Sequence, residues 1–175
     1  MVAYHDGEWG IRIHDDAELF ERLALESFQA GLSWSTILRK REAFRTAFRG
    51  FDPAVVASFG ARDRARLMAD AGIVRNAAKI EATVGNAAAI RAIQAAFGSF
   101  DGYLVDRLPG PTPRLPATAT ASDIASTTPA AQALSIDLRR HGMRFVGPTI
   151  VYAFMQSVGL VDDHLPGCFR YVGRR

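Results

Sequence analysis

Leu67-Met68-Ala69-Asp70-Ala71-Gly72-Ile73-Val74-Arg75-Asn76-Ala77-Ala78-Lys79-Ile80 reads as the end of one helix, a short turn opening on glycine, and the start of a second helix with a lysine close behind. Working outward, Arg62 to Ala71 makes the first helix and about Arg75 to Ala96 the second, with Gly85 inside it as an expected close-packing point. Upstream, Asp52-Pro53 opens a short helix with proline at its first position. Further back, Asp15 to Ala30 places Leu19, Phe20, Leu23, Ala24 and Phe28 at spacings of three and four, with acids in the first turn and Gly31 where a helix end favours a left-handed residue. Ser33 can cap the next helix, in which Ile37, Leu38, Phe44 and Phe48 face inward while Arg39, Lys40, Arg41, Arg45 and Arg49 face out. The pair makes a hairpin that turns at Gly31-Leu32. Downstream, Pro129 to His141 and Pro148 to Val158 each begin on proline and stop before glycine, and the second is apolar nearly all round, a buried spine. Residues 108–122 hold four of the eight prolines and read as an irregular connection. With no alternating strand and no solenoid repeat in view, the fold class is all-α.

At 175 residues the chain has the size of one domain, and residues 1–175 read as a single one. Its 49% hydrophobic and 22% charged residues exclude a disordered chain and a coiled coil. The longest apolar stretch, around Ile150 to Met155, is far too short to cross a bilayer, and no basic leader stands before an apolar run. A cytoplasmic monomer with no membrane partner is expected. One cysteine forms no internal disulfide, which leaves Cys168 as a buried hydrophobe, a reactive thiol or a metal ligand. The net charge of +3, carried by arginine far more than lysine, permits a phosphate-rich partner without requiring one.

Three constellations could carry chemistry. The turn at Gly72 looks like a helix-hairpin-helix motif: it aims backbone N–H groups and a helix N-terminus outward, a ready anion site suited to one DNA phosphate, with Lys79 beside it. The plainer alternative is that Gly72 ends a helix and Lys79 is solvated. The second is Glu26-Ser27-Phe28-Gln29-Ala30-Gly31-Leu32-Ser33-Trp34. Glu26 sits at the border of an apolar stripe, where a carboxylate is costly without a partner. Trp34 across the hairpin, with Tyr4 or Trp9 as a second wall, would make with it a cage for a flat cationic ring. Alternatively the aromatics are core packing and Glu26 pairs with an arginine. The third joins His5 to His164 and Cys168, borderline-soft donors of the kind zinc selects, with the fourth position absent, water, or an acid such as Asp163. His14 and His141 read as surface residues.

Tyr4-His5-Asp6-x-Glu8-Trp9-Gly10, Leu25-Glu26-x-x-Gln29-Ala30-Gly31-Leu32-Ser33-Trp34, Asp70-Ala71-Gly72-Ile73-x-Arg75, Phe145-Val146-Gly147 and Asp163-His164-x-x-Gly167-Cys168 together, colinear over nearly the whole chain, resemble the DNA-3-methyladenine glycosylase I family. The resemblance implies a helix-hairpin-helix DNA glycosylase fold, with the motif at about 62–96, and hydrolysis of the N-glycosidic bond of 3-methyladenine in alkylated double-stranded DNA, part of base excision repair. It implies that the damaged base is flipped out and released as free 3-methyladenine, without strand cleavage by Lys79. Trp34 would stack on the base, Trp9 would wall the pocket, and Tyr4 and Glu26 would be its catalytic hydrogen-bonding pair. Gly31 and Leu32 would wedge the duplex, while Gly72 and Lys79 would hold its backbone. His5, His164 and Cys168 would bind a structural zinc; the resembled family has a further cysteine ligand ahead of the Tyr-His motif, so either the natural start lies upstream or three ligands serve. The competing reading is a non-catalytic helix-hairpin-helix module that grips DNA, and beyond it a plain helical scaffold.

Overall fold

A computed structural model describes residues 1–108 and 115–171, so the proline-rich middle of the expected irregular connection, 109–114, lies outside the described residues together with 172–175. The described residues form nine α-helices and no strand: α1 Val2–Gly7, α2 Asp16–Gln29, α3 Trp34–Ala47, α4 Pro53–Ala57, α5 Ala61–Ala69, α6 Ala77–Phe97, α7 Phe100–Asp106, α8 Pro129–Arg140 and α9 Pro148–Ser157. Side-chain caps start most of them. Asp15 accepts from the N–H groups of Ala17 and Glu18 at 3.0 and 2.9 Å, Ser33 caps α3 through Thr36, Asn76 caps α6 through Lys79, and Thr128 caps α8 ahead of Pro129. The α2–α3 hairpin turns where the sequence places it, on Gly31 with φ +86°.

Helix α2 is central. It packs against α3, α6, α7 and α9 and buries Leu19, Phe20, Leu23 and Phe28 completely. Phe28, Phe44, Phe48 and Phe51 stack in sequence between α2, α3 and the 3-10 turn at Arg49–Phe51, with ring centroids 4.7 to 6.2 Å apart. Helix α9 is the expected spine, with Val151, Phe154 and Met155 fully buried against α2 and α8. Helix α4 lies along α6.

Four expectations need correction. Helix α7, capped by Ser99, and the short α1 were not legible as helices. Gly85 is no close-packing point, for a Cβ there would meet nothing within 4 Å. The basic face of α3 is largely consumed within the protein: Arg41 grips Glu8, Arg45 pairs with Glu21, and Lys40 donates to the carbonyls of Ala71 and Gly72 at 2.9 and 3.2 Å. His141 is half-buried, edge-on to Tyr103, whereas His14 stays exposed beside Asp101. No helix among the described residues is long and apolar enough to cross a membrane.

Candidate active site

Tyr4, Trp9, Glu26 and Trp34 meet around one cavity of about 350 Å³, with Met1, His5, Gln29, Ala153 and Gln156 completing its wall. That volume falls in the range of small-molecule pockets, about 300–1,000 Å³. The residues come from α1, its following turn, α2, α3 and α9, so the pocket exists only when the first nine residues lie against α2, α3 and α9. Ser33 fixes Trp34 at the first turn of α3, where its ring lies 5.5 Å from that of Tyr4, tilted by 53°.

Glu26 is 7% exposed and, among the described residues, has no hydrogen-bond or ion-pair partner. Burial pushes its carboxyl up to about 7, against the pull of the nearby Arg22 charge. The alternative in which an arginine pairs with Glu26 is therefore not what the fold does, because Arg22 is engaged elsewhere: its Nη2 donates to Glu8 Oε2 at 2.5 Å, and its guanidinium stands 5.1 Å from the Tyr4 ring centroid. The Tyr4 hydroxyl is buried without a partner, and burial holds its pKa up at about 12, so it is an O–H donor at any physiological pH. A buried carboxylate and an unpaired phenol facing the same apolar-walled space form a polar edge for a flat ring. Arg22, Glu8, Gln29 and Gln156 were missed from sequence; an arginine in the apolar stripe of α2, 6% exposed, was the one local signal.

Two loops stand beside the cavity. Gln29 Nε2 donates to Leu32 O at 2.9 Å and Leu32 N–H returns to Gln29 O at 2.7 Å, which leaves Gly31 and the 40%-exposed Leu32 at the surface. Lys79 does not face a ligand. Its Nζ is buried and donates to Phe28 O and Ala30 O at 3.0 and 2.8 Å, stapling the end of α2 behind that turn. Burial lowers its pKa. Gly72 also departs from expectation, since its N–H is taken by Asp70 Oδ1 at 2.7 Å. Glycine is needed there because a Cβ would come within 2.9 Å of the Ala43 Cβ, so the hairpin leans directly on α3. The outward N–H groups at this hairpin are those of exposed Ala77 and Ala78, in the first turn of α6, which have no acceptor among the described residues.

His5, His164 and Cys168 come together, their ligand atoms all within 4.8 Å of one another. His5 Nδ1 bonds Asp6 at 2.8 Å and His164 Nδ1 bonds Asp162 at 2.9 Å, leaving each Nε2 for the cluster. His164 Nε2 is buried without a partner, and His5 Nε2 lies 3.5 Å from Cys168 Sγ. Two imidazoles, each oriented by a carboxylate, beside a thiol are donors of the kind zinc accepts. Gly10 makes room for the His164 ring: a Cβ there would meet His164 Cε1 at 2.5 Å. Asp163 is not a fourth donor, since its Oδ2 accepts from Tyr152 and Gln156 at 2.6 and 2.7 Å.

An all-α fold with an aromatic cavity, an unpaired buried acid and a polar-edged wall beside two tight hairpin turns is the kind of pocket that an enzyme acting on an extruded base needs. The comparisons narrow this. The family model for methyladenine glycosylase matches residues 1–171, and the chain belongs to that family. A DNA-3-methyladenine glycosylase 1 of Escherichia coli strain K12 is 44% identical over 174 residues, covering 99% of this chain and 92% of its own. A crystal structure of a tyrosine-to-phenylalanine variant of 3-methyladenine DNA glycosylase I in complex with 3-methyladenine superposes with a TM-score of 0.91 at 41% identity, over 96% of this chain and 90% of that one. The structure addressing 3-methyladenine recognition by the Staphylococcus aureus 3-methyladenine DNA glycosylase I gives a TM-score of 0.90 at 42% identity, over 96% and 89% of the two chains.

Proposed function

We propose that this protein is a monofunctional DNA glycosylase that hydrolyses the N-glycosidic bond of 3-methyladenine in alkylated double-stranded DNA. The observation that carries the reading is the unpaired, buried Glu26 facing the same cavity as Trp34 and Tyr4. Methylation at N3 makes the glycosylated adenine a cation, and a carboxylate in a low-dielectric pocket attracts a cation far more than it does in water. Normal adenine is neutral and gains nothing from that charge. Gly31 and Leu32 enter the stack where the base leaves it, and Trp34 stacks on the extruded ring. The base is a good leaving group: water adds to the sugar carbon as the C–N bond breaks, the bonding pair goes to the base, the cation becomes neutral 3-methyladenine, and the proton lost by the attacking water passes to solvent. Once the positive charge is gone, so is the attraction that recruited the base, which favours release.

Lys79 donates to two carbonyls and lines no part of the cavity, which supports a water-only reaction. A structural zinc held by His5, His164 and Cys168 would tie the first helix to the last loop, and so fix Tyr4 and Trp9 at the pocket. It would supply no chemistry at the base. The test is incubation with methylated DNA and chromatography of the freed base, with Glu26→Gln and Trp34→Ala alongside. Folded wild-type protein that releases no 3-methyladenine, or that nicks abasic DNA through a borohydride-trapped adduct, would end this reading. DNA binding without release would instead favour the non-catalytic module.

A further inference from the structure

Arg22 stands four residues before Glu26 in α2, so the two side chains rise on one face of the helix a turn apart. That spacing ordinarily closes an ion pair, yet here it stays open. Arg22 is drawn instead to Glu8 beyond the end of α1, and Glu8 is held in place from the other side by Arg41, which reaches both its oxygens at 2.5 and 3.0 Å. Burial works against the Glu8 charge, but the hydrogen bond from Arg41 and the charge of Arg22 hold its carboxyl below the ordinary range. The other end of the Arg22 guanidinium, Nη1, is buried without a partner.

We propose that Arg22 is a positioning residue for base selection: held away from Glu26 by Glu8, it supplies the positive charge that keeps part of the pocket carboxyl ionised at neutral pH without occupying its oxygens. The consequence for selectivity rests on the glycosylase reading above. Two failures bracket the arrangement. With no arginine present, burial would hold Glu26 as a neutral acid, which does not distinguish a cationic base from a neutral one. An arginine closed onto Glu26 would leave the carboxylate ionised but cancel its charge and fill its acceptor sites. Glu8 avoids both by competing for the guanidinium. Glu8, Arg22, Arg41 and an ionised Glu26 sum to zero charge, so the cluster accommodates the pocket carboxylate before any base arrives. The other ionisable groups lining the Glu26 cavity are Tyr4 and His5 on α1 and the amino group of Met1 just ahead of them; α3 contributes Trp34, and α9 contributes Ala153 and Gln156, none of which titrates.

The test follows the Glu26 carboxyl by NMR in carbon-labelled, DNA-free protein through a pH titration, next to single-turnover base release from methylated DNA. Wild-type Glu26 should titrate near 7. Arg22→Met should move that midpoint up by about one unit or more, cutting the ionised fraction and the base release at neutral pH about fivefold. Arg22→Lys should restore most of it. Glu8→Gln should move the midpoint the other way, down by about one unit, because the freed guanidinium closes on Glu26, and base release should fall nonetheless. Shifts of opposite sign are not what general loosening of the fold produces. An unchanged midpoint in Arg22→Met, or an upward shift in Glu8→Gln, overturns the proposal; if Arg22→Met does not fold, Glu8→Gln decides it alone. A titration that behaves as expected in a protein that frees no base counts against the glycosylase reading and leaves the charge arrangement standing.

Discussion

Replacing Glu26 by glutamine keeps the side chain's shape and removes its charge, which separates what the acid does for the fold from what it does for a ligand. Burial raises its carboxyl from 4.5 to about 7, so the folded state holds the proton more tightly than the unfolded chain does. A group of this kind stabilises fully below its unfolded pKa, and that stability drains away as pH rises through its folded value. The whole difference, two to three pH units at roughly 1.4 kcal/mol each, is about 3 kcal/mol, reached above pH 7. Side-chain exposure of 7% leaves little solvent screening to discount. Glu26→Gln should therefore be more stable than wild type by about 3 kcal/mol at pH 8 and by about 1 kcal/mol at pH 5, while base release is largely lost. Urea unfolding followed by far-UV circular dichroism at both pH values measures it, and the melting temperature at pH 8 should rise by roughly 6–12 °C. Equal stability of the two proteins at pH 8, or a gap of the same size at both pH values, would refute the picture of a carboxylate strained by burial and kept for its ligand.

Tyr4→Phe removes a buried hydroxyl that has no partner, so stability should hold or improve slightly while base release slows; thermal melts and single-turnover rates together check this. Lys79→Met leaves the Phe28 and Ala30 carbonyls without their donor and should cost about 2 kcal/mol, with DNA base release falling more than the affinity for free 3-methyladenine measured by calorimetry. Gly10→Ala drives a methyl into the His164 ring and should lower the zinc content found by elemental analysis, and His164→Ala should lower it further; equal zinc in all three proteins would remove the metal assignment.

The helices were legible wherever a start signal and a long apolar register coincide, as in α2 behind its Asp15 cap and α9 with Pro148 in its first turn. Helix α7 was not: its seven residues are too few to establish a period, and Gly98-Ser99, a helix stop followed by a cap, was the available hint. Of the site, the types of residue were readable but their directions were not. Lys79 and Arg41 look like surface charge in a string of letters; only packing shows that each is turned inward to a carbonyl or a carboxylate from a distant segment. Glu8 and Arg22 lie fourteen positions apart and meet because α1 folds back over α2, a tertiary event no local pattern records. The meeting of Tyr4 with Trp34 was suggested by the family likeness more than by physics, since nothing in the spacing of the two requires one cavity.

The contact between His5 and Cys168 turns the polypeptide into something close to a clasped bracelet, with the pocket rim mounted on the clasp. A protease that trimmed the tail back past His164 would remove no group from the base-facing wall, and α2, α3 and α6 would still carry their apolar core. Yet the strap bearing Tyr4 and Trp9 would lose its clasp at His5 and be left to its Glu8 anchor on Arg22 and Arg41. Inactivation by such trimming would precede unfolding, and it would be undetectable to any probe that reports helix content alone.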